Sequence, residues 1–218
     1  METLNNKENK SIIYNQDNNT FILNSNKTSY ILKVLDSGHL AHLYWGRRLR
    51  STNLDYVIRS RNWGSFLANT DNKENFMLEA IPQEYPGYGA TDLRSPALQL
   101  QFSDGTSATD FRYVSHKIYQ GKNKLEGLPA TYTENDEEAT TLEIVLKDTL
   151  KPVEIVLTYS VFKEFDAITR NVKVRNMGQE DVKILRVLSA SVDFNDDNFD
   201  MIQLSGSWAR ERHFVRQP

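Results

Sequence analysis

The sequence contains no cysteine. That excludes disulfides, thiolate zinc sites and cysteine nucleophiles together, and it is compatible with a reducing compartment. No apolar run approaches the roughly 20 residues that a membrane-spanning helix needs, and the opening residues 1–10 are polar and Asn-rich, without the apolar stretch of a secretory leader. Helical periodicity is missing too: no window of about a dozen residues repeats its apolar positions at 3.6. Lys and Arg are scattered and the net charge is -3, so no electrostatic footprint for nucleic acid or an anionic membrane exists. The expectation is a cytoplasmic protein without either partner.

What is present is apolar–polar alternation at period two, which turns one side of a strand to a core and the other to water. The clearest run is Val153, Ile155, Leu157, Tyr159 and Val161. A second covers 168–175 and ends at Asn176-Met177-Gly178, a turn able to use positive φ. With a third over 182–194, these predict an antiparallel meander of long strands. Further strands are expected at 20–23, 30–35, 40–45, 76–81, 97–102, 111–119 and 141–146, with Ser103-Asp104-Gly105 as a hairpin signal. Hydrophobic residues are 39% of 218 and aromatics 11%, enough for one all-β domain built as a sandwich of packed sheets. Three stretches, 47–75, 85–96 and 125–138, break the strand rhythm, and long loops in compact domains are disproportionately functional.

No complete catalytic constellation is visible. Glu134, Asp136, Glu137 and Glu138 form a run of acid that repels itself into solvent. The stretch 193–200 begins with oxygen ligands at alternate positions, as a calcium loop does, but Asn198 stands where the sharp turn wants Gly and Leu204 where the bidentate acid belongs. His39 and His42 lie three apart, which on a strand sends them to opposite faces, so a structural role is preferred for both. His116 and His213 have no Ser, Asp or Cys at a recognisable spacing; a nucleophile elbow, a phosphate loop and a zinc signature are absent. No catalytic residue, metal or cofactor is therefore assigned.

Two loops carry the candidate contacts. In 85–96, aromatic rings, Gly, Pro and an Asp-x-Arg pair build a shaped loop in which Tyr85 and Asp92 shape the path and Asp92 positions Arg94; tight packing on a neighbouring surface is the preferred role. Arg59, Arg61, Asn62, Trp63 and Phe66 form a basic and aromatic loop. Such a set suits a sugar, whose C–H face stacks on a ring while its hydroxyls need fixed partners, and suits a subunit contact equally.

Six blocks resemble one known family: SGHLAHLYWG at 37–46, QEYPGYGATDLRSPA at 83–97, GLPATY at 127–132, ITR at 168–170, SVDF at 191–194 and GSWARER at 206–212. In this order, through nearly the whole chain, they resemble the amino-terminal domain of α-galactosidases of glycoside hydrolase family 36. The resemblance implies an antiparallel β-supersandwich of the galactose-mutarotase-like kind, followed in the full enzyme by a catalytic (β/α)8 barrel and a smaller β domain. It implies retaining hydrolysis of terminal α-galactosyl residues of melibiose- and raffinose-type sugars by two barrel Asp residues, neither in this chain, and a homo-oligomer, often a tetramer. The family's sandwich continues for about a hundred residues past this chain's end, so 1–218 is expected to be a truncated segment with exposed edges, inactive alone. In the full enzyme the loop 59–66 is expected to meet a neighbouring subunit's sugar pocket through Trp63, Arg61 and Asn62. The rival reading is a free-standing carbohydrate-binding β-sandwich.

Overall fold

The computed structural model describes residues 10–50, 53–58, 77–90, 92–194 and 198–218. The described chain is all-β, with twelve strands and only three single-turn 3-10 helices. The first sheet is a meander of β1 (Ile12–Asn15), β2 (Thr20–Asn24), β3 (Thr28–Val34) and β4 (Leu40–Arg47), every pair antiparallel. A second meander joins β6 (Phe111–Gln120), β7 (Thr140–Asp148), β8 (Val153–Phe162) and β9 (Ala167–Asn176). Two smaller antiparallel pairs complete the set: β5 (Leu98–Gln101) with β10 (Lys183–Val187), and β11 (Met201–Ser207) with β12 (Arg210–Gln217). Among the described residues no helix is long and apolar enough to cross a membrane.

The two meanders are packed face to face. Alternate residues of the first (Phe21, Leu23, Tyr30, Leu32) share one core with alternate residues of the second (Leu142, Ile144, Ile155, Leu157, Tyr159), and β5 seals it with Leu98 and Leu100. Phe21, Ile31, Leu32, Ile144, Ile155 and Tyr159 are completely shielded from solvent. The other face of the first sheet is covered as well: Ile22, Ile31, Ala41 and Leu43 pack with Leu54 and Ile81 from the segments that follow β4. Burial on both faces explains why β2 and β3 read as near-continuous apolar runs where one-sided strands alternate. The β10, β11 and β12 strands differ, leaving Ile184, Met201, Ile202, Leu204, Phe214 and, at 94% exposure, Trp208 open to solvent.

Three expectations need correction. Leu78–Ala80 is a 3-10 turn, not part of a strand over 76–81; its buried Leu78 and the buried Ile81 just past its end are three apart, the spacing of a turn. The 182–194 stretch does not extend the second meander, because β10 is short and crosses to pair with β5. Ser103-Asp104-Gly105 does turn tightly, with Gly105 at φ +82° and the Phe102 N–H donating to the Thr106 carbonyl at 2.9 Å. The strands on either side nevertheless pair elsewhere, β5 with β10 and β6 with β7, so it is not a hairpin.

Candidate functional site

Beside β4 a groove of about 980 Å³ opens. Its edge is aromatic: Trp45, half exposed, stands 6.0 Å from the Phe194 ring, which in turn lies 4.8 Å from Phe199. Its polar residues include Arg94, Asp193 and Glu79. Arg94 organises this side. Its Nε donates to Asp92 at 2.9 Å, Nη1 to Asp193 at 3.1 Å, and Nη2 to the carbonyls of Leu78, Glu79 and Ile81 at 3.0, 2.9 and 2.6 Å. One planar guanidinium thus ties a loop, a 3-10 turn and the 190s segment together, which a lysine could not do with a single point charge. Asp92 also accepts the Arg94 N–H at 3.1 Å, so the two residues close their own turn.

The loop that carries Arg94 is shaped by glycine and by a buried phenol. Gly89 sits at φ +93°, and a Cβ there would come within 3.0 Å of the Ala108 Cα and Cβ, so both conformation and space call for glycine. Tyr85 is buried, its hydroxyl donates to the Leu188 carbonyl at 2.6 Å, and burial pushes its pKa up to about 12. The same segment opens with an antiparallel bridge, Gln83 against Ala41, while the Glu84 N–H donates to the Leu40 carbonyl at 2.9 Å. This short extension of β4 turns Glu84 inward, where it is fully buried.

Glu84 is the hub of a polar cluster inside the sandwich. Its Oε1 accepts from the Tyr159 hydroxyl at 2.7 Å and lies 2.7 Å from Arg170 Nη2; Tyr30's hydroxyl is 2.8 Å from both carboxylate oxygens; His42 Nδ1 is 3.1 Å from Oε2. Burial first, and the Glu84 charge second, push both tyrosine hydroxyls far up, so they remain neutral donors. Tyr30 and His42 belong to the first sheet and Tyr159 and Arg170 to the second, so the carboxylate bridges the layers. His42 also lines the Arg94 groove.

The Glycosyl hydrolase family 36 N-terminal domain model matches residues 38–218. The chain belongs to that family. It is 44% identical over 209 residues to α-galactosidase AgaA of Geobacillus stearothermophilus, covering 95% of this chain and 28% of AgaA. The crystal structure of family 36 α-galactosidase AgaB from the same organism superposes with a TM-score of 0.86 at 44% identity, over 96% of this chain and 28% of that one. A variant of AgaA in complex with raffinose gives a TM-score of 0.84 at 44% identity, over 91% and 28%. The chain therefore spans a little over a quarter of the length of these relatives. Membership in the family replaces the rival reading of a free-standing carbohydrate-binding module.

In this family 36 domain, the sequence-derived candidates divide. Tyr85, Asp92 and Arg94 are brought to one segment beside the groove, whereas Arg59, Arg61, Asn62 and Trp63 lie outside the described residues. Asp193, at the head of the calcium-loop-like stretch, is bound to Arg94, and no group of three or more metal-binding side chains occurs among the described residues. His39 and His42 are both buried, with His39 Nε2 2.8 Å from Asp110 and Nδ1 2.9 Å from the Ser37 hydroxyl. His116 packs 4.3 Å from the Tyr14 ring, and burial lowers its pKa. Sequence reasoning missed Glu84 altogether. Its neighbours Gln83, Tyr85, Pro86 and Gly87 read as a turn-rich stretch and give no local sign that the acid is buried.

Proposed function

We propose that this chain is the non-catalytic amino-terminal part of a longer α-galactosidase that hydrolyses terminal α-galactosyl residues of melibiose- and raffinose-type sugars with retention. The observation that carries the reading is the family match through 38–218 combined with an alignment to only 28% of AgaA. The chemistry of the groove agrees. Retaining hydrolysis uses two carboxyl groups about 5–5.5 Å apart, one of them free to give up a proton. Asp92 and Asp193 are both engaged by Arg94, which suits a structural clamp better than an acid and its nucleophile. The remainder of the polypeptide supplies the chemistry, needs no cofactor, and covers the apolar surface that β10, β11 and β12 leave open.

In the same proposal the enzyme is cytoplasmic and works as a homo-oligomer, and the basic, aromatic loop containing Arg59, Arg61, Asn62 and Trp63 approaches a neighbouring subunit's pocket. The raffinose complex of the AgaA variant motivates the substrate class. The purified 218-residue chain is expected to leave melibiose intact; hydrolysis by it, free of contaminating enzyme, overturns the reading. In the full-length enzyme, Trp63→Ala is expected to change turnover, raffinose affinity or oligomeric state. If all three stay as in the wild type, the role of the loop is wrong.

A further inference from the structure

The β6–β9 sheet has a second face, turned away from the core, which mixes polar side chains with Val156 and Phe162. Cross-strand pairing places Thr158 opposite Asn171 and Ser160 opposite Thr169 on adjacent strands. With Val156 they line the floor of a groove of about 500 Å³, whose wall is the loop that follows β6; Ser160 is buried and bonded to the Thr141 hydroxyl at 2.8 Å, so Thr158, Thr169 and Asn171 are the polar groups the floor presents. Five cations line the groove. Arg170 points to the core and is bound by Glu84, Arg175 pairs with Glu154 at 2.6 Å, and the Lys122 ammonium donates to the Thr131 carbonyl at 2.7 Å. Lys124 on the wall and Lys173 on the floor have no polar or ring partner among the described residues. One acid lines the groove, Glu143, and its Oε1 already accepts from the Tyr119 hydroxyl at 2.8 Å.

We infer that this groove is a binding site for a phosphorylated sugar, separate from the Arg94 groove. Hydroxyl and amide side chains both donate and accept, which is what a polyol needs from a floor. Two ammonium groups without a partner among the described residues, Lys124 and Lys173, supply what a phosphate needs, as point charges that do not depend on bidentate geometry. The volume lies within the range of about 300–1,000 Å³ for small-molecule sites.

Isothermal titration of the full-length protein with glucose 6-phosphate, glucose and inorganic phosphate tests the site. Glucose 6-phosphate is expected to bind at least about tenfold more tightly than either fragment, because both halves of the site are then filled. The double variant K124E/K173E is expected to lose about tenfold or more of that affinity with an unchanged melting temperature, both lysines being exposed. Asn171→Leu should weaken the sugar phosphate and leave inorganic phosphate alone. Absence of glucose 6-phosphate binding, binding no tighter than that of phosphate, or affinity that survives the double charge reversal would each overturn the assignment.

Discussion

Replacing Glu84 by Gln keeps the shape of the buried hub and removes its charge. The amide oxygen can still accept from Tyr30 and Tyr159, so the loss is concentrated in the pair with Arg170, 2.7 Å away. Removing one partner of a buried ion pair costs about 3–5 kcal/mol, because the other charge is left in a poorly solvating interior. Arg170 retains 12% exposure of its side chain, which places the expected cost at the lower end, about 3 kcal/mol. At 1.4 kcal/mol per factor of ten, amide hydrogen exchange in β3, β4 and β8 should accelerate about a hundredfold, a readout local to this domain in a larger protein. Arg170→Met should be comparably harmful, since it strands Glu84. The double variant E84Q/R170M should lie closer to wild type than either single one, because neither residue of the neutral pair leaves an unpaired charge in the interior. Exchange within about twofold of wild type for Glu84→Gln, or a double variant as damaged as the sum of the two, would refute a charge-paired hub.

Two other perturbations follow from the hydrogen bonds around the groove and its neighbour. Arg94→Lys leaves one ammonium where a fork served Asp92, Asp193 and three carbonyls, so the 190s segment should be nicked faster in limited proteolysis, by about tenfold for a loss of about 1.5 kcal/mol; an unchanged cleavage rate contradicts the clamp. Asp110 tests the sign of a pH effect: burial alone would raise its pKa, but the hydrogen bonds and charges of His39 and Arg112 outweigh burial and hold it well below the ordinary value. A depressed folded pKa gives stability that is complete above the unfolded value of about 3.9 and is lost as pH falls through the folded one. The gap in melting temperature between wild type and Asp110→Asn should therefore be full at pH 7 and shrink between pH 4 and 2, and a gap that does not vary with pH rules the account out.

The strands most legible in the sequence are those whose alternation has one physical cause. In β8, Val153, Ile155, Leu157, Tyr159 and Val161 enter the shared core, and the run stands out because every second residue has the same task. Alternation misleads where it is not tied to pairing: the 182–194 stretch has the pattern, but among the described residues only Lys183–Val187 pairs with another strand. β11 and β12 are illegible in the sequence for the opposite reason. Their apolar residues Met201, Ile202, Leu204 and Phe214 remain exposed here, and the strands meet through an irregular register between Ser205 and Ser207 that blurs the period. Family resemblance reached further than periodicity, since GSWARER lies in this same hairpin.

Site residues were legible to the extent that their partners are near in sequence. Asp92 and Arg94 are two apart and read as a pair, yet the contact that gives Arg94 its reach is to Asp193, 99 residues on. Glu84 had no local partner to announce it: Tyr30, His42 and Tyr159 lie 54, 42 and 75 residues away. An acid in a turn-rich stretch reads as solvated unless the fold is known, because the cost of burying it is met only by groups that the two sheets bring together. Glu84 and Arg94 are then two ends of one segment, the first locked into the interior and the second reaching the groove. Each end uses a guanidinium–carboxylate contact across long sequence separation. With Glu84 held inside the sandwich and Arg94 held at the groove, the segment ties the position of the Arg94 guanidinium to the packing of the core.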